Sequence, residues 1–361
     1  MIPEIELLLR CARTQLSAEA IERVEQLLQG PLDWDLIQEK GNDHGLVALV
    51  ARTLLSDSRF QVPPQVRKNL EDTYHRNAER NLALTTELLA ILARLEQNGI
   101  AAIGYKGPLL GAMAYGDIAL RQFCDLDLLV RPPDAEPARV RLTKLGYQAE
   151  FGFSPRQERI YWRVGSEYQF KTNTGLRLQL HWRILPTHYS LDFDVSDAWS
   201  RLTTVELTSS LTRALSPEDS LAALVLDASG HGWQRLLPIC DVAHLITSFP
   251  QMSWTDVWQR ARKRGTLRLL RIALTLAAGL FGAPISRSLE AEIKRDRTAL
   301  QLASDLADSL TSLTFGREAN IDRLLLKGRE RWRDRARYIT NRAMKNLAAR
   351  FSHQYLKRAG H

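Results

Sequence analysis

Asp125 and Asp127 stand two residues apart inside the apolar run Asp125-Leu126-Asp127-Leu128-Leu129-Val130. On a strand, residues i and i+2 share a face. The two carboxylates therefore project together, while Leu126 and Leu128 turn the other way into a core. Like charges side by side repel, and a fold keeps them when something positive neutralises them. A hard divalent cation, Mg²⁺ or Mn²⁺, meets that need, because it takes oxygen ligands and leaves positions for phosphate oxygens. The competing reading is a pair of solvated acids on an exposed strand. The neighbouring residues favour the metal. Lys106-Gly107 ends a short apolar strand over 100–105. Gly107 permits close backbone approach, and Pro108 suits the first turn of a helix. A helix start offers free N–H groups to phosphate, and Lys106 either adds its charge there or is a surface lysine at a strand end. Arg121, four residues before Asp125, either pairs with these two acids or reaches a triphosphate with its planar fork of donors.

The elements that must position these residues follow from periodicity. Residues 1–98 carry apolar residues at helical spacing, including a long helix over about 65–98 that stops at Gly99. The period then changes to a strand before Lys106, a strand over 125–130 and a helix over about 135–145. A hairpin follows over 168–172 and 176–184, turning at Asn173-Thr174-Gly175. In its second strand Leu176, Leu178, Leu180 and Trp182 alternate with Arg177, Gln179, His181 and Arg183, so Gln179 and His181 share the polar face. From Pro217 onward the pattern is helical again. The expected class is α+β, with a small mixed-sheet core flanked by N-terminal and C-terminal helical regions. The boundaries are 1–98 for the N-terminal helices, 99–205 for the α/β core and 206–361 for the C-terminal helices.

These parts resemble, in order, the nucleotidyltransferase superfamily that includes DNA polymerase beta and the aminoglycoside nucleotidyltransferases. More closely, the chain is similar to a bacterial family of uncharacterised nucleotidyltransferases. The matching text is Ile103-Gly104-Tyr105-Lys106-Gly107, Tyr115-Gly116-Asp117, Arg121 through Pro132, Leu145-Gly146-Tyr147 and Leu180-His181-Trp182. It continues through Pro217-Glu218-Asp219, His231-Gly232 and Asp241, and reaches back to His44-Gly45-Leu46, covering most of 30–285. The resemblance implies metal-dependent transfer of a nucleoside monophosphate from an NTP, ATP first among them, to a hydroxyl or phosphate, with release of pyrophosphate. It implies Asp125 and Asp127 as metal ligands, Lys106, Gly107 and Arg121 on the nucleotide phosphates, and Gln179 and His181 beside the acceptor. One departure stands out. The family pattern places an acid two residues before His181, and this chain has Gln179, which can offer a carbonyl oxygen but neither charge nor basicity. Either His181, a substrate group or Glu167 from the preceding strand takes over, or turnover is weak or absent. The alternative function is then a nucleotide- or RNA-binding module on a catalytically decayed scaffold. The acceptor stays open among a small molecule, a peptide, a protein and tRNA.

Composition bounds the rest. The chain has 361 residues, 45% hydrophobic and 25% charged, which is ordinary globular content for two or three domains. Its three cysteines, Cys11, Cys124 and Cys240, are scattered, which argues against a disulfide framework or zinc site and suits a reducing cytoplasm. Cys124 reads as a buried thiol. Met1 leads into Glu4 and Glu6, without the pattern of a signal peptide. The apolar stretch over 272–285 is too short to span a bilayer, so no transmembrane segment and a cytoplasmic location are expected. The net charge of +8 is concentrated at the end, since residues 322–361 hold twelve Lys or Arg and three acids. There Leu325, Trp332, Ile339, Leu347 and Phe351 form a rough helical stripe. Three readings compete for this tail: contact with nucleic-acid phosphates, an anionic membrane surface, or packing on its own domain. Asp192-Phe193-Asp194 repeats the acid spacing without the aliphatic run or the glycine-led helix, and reads as a decoy.

Overall fold

A helix of 33 residues, Pro64–Glu96, leads into the sheet. Pro64 suits its first turn, and Gly99, at φ +70°, turns the chain out of it. Leu84, Leu88, Ile91 and Leu95 recur at three- and four-residue spacing and form its buried stripe. The computed structural model describes residues 1–13, 15–312 and 321–344.

The sheet has five strands: β1 (Ala102–Gly104), β2 (Asp125–Val130), β3 (Gln148–Ala149), β4 (Glu167–Lys171) and β5 (Arg177–His181), in the order β1-β2-β5-β4-β3. The β2–β5 pairing is parallel and the others are antiparallel, so the molecule is α+β with a mixed sheet. Register explains its two faces. Leu126 and Leu128 lie beside Leu178 and Leu180, which lie beside Phe170 and Tyr168. This row packs on Leu84, Leu88 and Leu142 in one apolar cluster. On the opposite face Asp127 pairs in register with Gln179, and Gln179 with Gln169. His181 lies between Leu129 and Glu167. The alternation read from the sequence is therefore a property of the whole sheet.

The first helices and the later ones share a second apolar cluster, in which Leu7, Leu8 and Leu49 pack with Leu221, Ile239 and Ile272. Ile103, Tyr105 and Leu129 join it from the sheet. The helices Pro217–Gly230 and Leu237–Ser248 are thereby brought against the polar side of β2. A second hairpin, β6 (Thr203–Leu207) and β7 (Ser210–Ala214), is absent from the periodicity reading. Its strands carry Thr, Ser and Arg at positions that a clear alternation would make apolar.

Among the described residues no helix is long and apolar enough to cross a membrane. The 272–285 stretch falls largely in the helix Leu267–Phe281, which buries Leu269, Ile272, Leu276 and Leu280. Two expectations are corrected. Cys124 is exposed, because it precedes β2 rather than lying in it. The tail stripe is broken: Leu325 is buried, but Trp332 is 76% and Ile339 56% exposed. Non-helical residues between the helix Ile321–Lys327 and the helical stretch 332–344 reset the phase. The side chains buried there are instead Arg329 and Tyr338. Leu347 and Phe351 lie outside the described residues.

Candidate active site

The loop that delivers Asp125 to β2 is held from the long helix. Asn81 Nδ2 donates to the carbonyls of Ile118 at 2.6 Å and Arg121 at 2.8 Å, and Asn77 Nδ2 donates to that of Ala119 at 2.7 Å. Both asparagines are buried, so these carbonyls receive donors where water has little access. Arg121 makes its hydrogen bonds to a helix rather than to the strand acids. Its Nε and Nη2 donate to Asp241 Oδ1 and Oδ2, each at 2.9 Å, and Tyr115 Oη donates to Asp241 Oδ1 at 2.6 Å. Burial works against the Arg121 guanidinium, but Asp241 outweighs it and raises its pKa further. Arg121 thus makes an ion pair, with Asp241 and not with the strand acids expected from the sequence. The Asp241 partner is 120 residues away in the chain.

Asp125 and Asp127 share the face read from their spacing and meet different surroundings. Asp127 Oδ1 lies 3.0 Å from His181 Nε2 and 3.8 Å from Lys106 Nζ. Burial alone would raise the Asp127 carboxyl, but Lys106 and His181 more than offset it and hold it below the usual carboxylate range. Asp125 takes one hydrogen bond, from Gln179 Nε2 to its Oδ2 at 3.1 Å, and has no ion-pair partner among the described residues. Burial, followed by the charge of Asp127, raises its pKa.

Lys106 caps the helix Gly107–Tyr115, with Pro108 in its first turn. Gly107 has φ +50°, which a side chain disfavours. Lys106 Nζ sits between Asp127 and Asp227, 2.8 Å from Asp227 Oδ1. Burial opposes its charge, yet the two aspartates hold its pKa well above the lysine range. His181 packs edge-to-face on Tyr105, with centroids 5.1 Å apart. Its Nδ1 lies 3.4 Å from Glu167 Oε2, without hydrogen-bond geometry. The sheet thus carries a row of Asp127, His181 and Glu167 across three adjacent strands. Lys106, Gly107, Asp125, Asp127, Gln179 and His181 come together, and Arg121 is turned to the helices.

Asp227 was missed by sequence reading. The available signal is a single acid after the apolar Leu221–Leu226 run, four residues before the His231-Gly232 pair. Asp192-Phe193-Asp194 has a local task, since Asp194 caps the helix Val195–Trp199 by accepting from the backbone N–H of Asp197. A cavity of about 830 Å³ opens beside the site, with Glu167 and Asp227 in its wall.

Among the described residues no three His, Cys, Asp or Glu side chains are grouped to enclose a metal ion. The donors on β2 are two carboxylates, one of them half-buried and without an ion-pair partner among the described residues. This donor set fits a hard divalent ion that draws its other oxygens from phosphate and water, and does not fit a protein-built cage.

Residues 30–282 match the model of a family described as uncharacterised nucleotidyltransferase. No curated protein matches the chain. Among solved structures, it is similar to an antigenic nucleotidyltransferase-like protein from Paracoccidioides brasiliensis. The identity is 16% and the TM-score 0.36, over 58% of this chain and 92% of that one. A likeness of that size carries no weight for fold or function.

Proposed function

The chain belongs to the uncharacterised nucleotidyltransferase family, and on that premise we propose that it transfers a nucleoside monophosphate from an NTP to a hydroxyl acceptor, releasing pyrophosphate. The observation that carries this reading is the Asp125–Asp127 pair on one strand face, with Lys106 Nζ 3.8 Å from Asp127 Oδ1. Asp125 and Asp127 would hold Mg²⁺ or Mn²⁺, which supplies positive charge where the α-phosphate is attacked. Gly107 and the following helix start present backbone N–H groups to the β- and γ-phosphates. Lys106 supplies the mobile cation there, exchanging its contact with Asp227 for phosphate. His181 holds Asp127 in place and, with Gln179, borders the acceptor.

The test is calorimetric titration of ATP, GTP, CTP and UTP into the full chain, with Mg²⁺ or with EDTA. The double variant Asp125→Asn/Asp127→Asn is titrated beside the native protein. Metal-dependent binding of at least one NTP, lost in the variant, is the expected result. Binding that ignores both EDTA and the variant would sink the reading.

A second reading draws on one contact. Gln179 stands where the family pattern has an acid and already donates to Asp125, which suits a nucleotide- or RNA-binding module without turnover. NTP binding without any pyrophosphate release would favour it.

A further inference from the structure

We propose that the cavity of about 830 Å³ beside the site is the acceptor pocket, and that it takes a small molecule with a hydrophobic body and a terminal hydroxyl, presented to Asp227. This rests on the nucleotidyltransferase reading above.

Size supports the ligand class. The volume suits a drug-sized molecule and is far too small to take up tRNA or a folded protein. The lining supports the apolar body, with Ile160, Val164, Ile184, Leu185 and Met344 in its wall. Three of these are large apolar side chains left in solvent: Ile160 at 55%, Val164 at 47% and Met344 at 56% exposed. Such residues gathered at one opening mark a place where a ligand removes them from water.

The polar end supports the hydroxyl. Asp227 lies in the cavity wall and is 2.8 Å from Lys106 Nζ, which lies 3.8 Å from Asp127 Oδ1. Glu167 also lies in the wall and meets Asp127 through His181. Both acids therefore stand one side chain from the proposed metal ligand. Glu167 faces the His181 imidazole, and Asp227 is freed to accept a hydrogen bond when Lys106 turns to phosphate, so this end is an acceptor of hydrogen bonds. A hydroxyl is the matching donor.

In the transfer, the acceptor oxygen forms a bond to the α-phosphorus and the bond from that phosphorus to the bridging oxygen of pyrophosphate breaks. The hydroxyl proton passes to the Asp227 carboxylate, the role that Gln179 cannot fill because an amide is not a base.

The test uses 1-butanol, 1-hexanol and 1-octanol as probes on the full chain, read by ligand-observed NMR. Affinity is expected to rise about threefold to fourfold per added CH₂ and to fall to the butanol level in Thr187→Trp, which fills the cavity from an exposed position. Unchanged thermal unfolding of that variant serves as the folding check, and Val164→Trp is the second blocking variant. In the presence of NTP and Mg²⁺, octyl nucleotide ester is expected from the native protein and at least 100-fold less from Asp227→Asn. Equal affinity for the three alcohols, or binding untouched by both tryptophans, overturns the pocket. Undiminished ester formation by Asp227→Asn overturns the role of Asp227. Chain-length-dependent binding with no NTP binding overturns the nucleotidyltransferase reading and the acceptor role with it.

Discussion

Gln179 Nε2 donates to Asp125 Oδ2 across 3.1 Å, so the amide at the position where the resemblance implied an acid is engaged with the Asp125 carboxylate. Gln179→Glu removes this donor and sets a third carboxylate beside Asp125. Without metal the extra charge has no counterion and lowers the melting temperature. With Mg²⁺ the added oxygen ligand tightens the apparent metal affinity, by about tenfold for a stabilisation of about 1.4 kcal/mol. Thermal melts across a Mg²⁺ series check both directions. A variant that gains turnover from a silent native protein would instead identify a decayed scaffold.

The two strand acids should respond in opposite directions to loss of charge. Asp125 is raised by burial and by Asp127, so its ionised form costs stability at neutral pH. Asp127 is held low by Lys106 and His181 despite its burial, so its ionised form contributes stability. In EDTA, Asp125→Asn is expected to raise the melting temperature, and Asp127→Asn to lower stability by about 2 kcal/mol. Equal and same-signed shifts would contradict the finding that Lys106 and His181 outweigh burial at Asp127 but not at Asp125.

The Arg121–Asp241 fork is a buried pair, and removing one partner strands the other charge. Asp241→Ala should cost about 3–5 kcal/mol in urea unfolding, while the paired change Arg121→Met with Asp241→Leu should recover most of it. If Arg121→Met spared stability and weakened NTP binding instead, the guanidinium would belong to the phosphate site.

His44 supplies a pH dependence. It is 1% exposed, and its Nδ1 accepts the backbone N–H of Leu236 at 3.3 Å. Burial pulls its pKa down from 6.5 to about 4. A folded-state pKa below the unfolded one means that the unfolded chain binds protons first. The contribution is therefore complete above about pH 6.5, declines as pH falls, and is lost by about pH 4, amounting to at most about 3 kcal/mol. Urea midpoints of the native protein and His44→Gln should converge across that window. Parallel pH profiles would rule out His44 as the titrating group.

Two glycines show how local reading and tertiary context divide. Gly107 was legible because a glycine after a strand and before a proline marks a special turn, and its φ of +50° agrees. Gly45, at φ +77°, was legible only as part of a motif. Its tertiary reason is Leu237, since a Cβ at Gly45 would lie 3.0 Å from Leu237 Cδ2.

What the sequence determined by itself is whatever a period of two or of 3.6 carries. The shared face of Asp125 and Asp127, the polar row of Gln179 and His181, and the long helix before the sheet are consequences of covalent geometry acting over a few residues. The tertiary structure decided which charges meet. Lys106 finds Asp227 across 121 positions, and Arg121 finds Asp241 across 120. No local pattern contains those distances. They arise because apolar residues of the first and last helices bury one another in a common cluster, and that burial, indifferent to sequence separation, carries Asp227 and Asp241 to the polar face of the sheet.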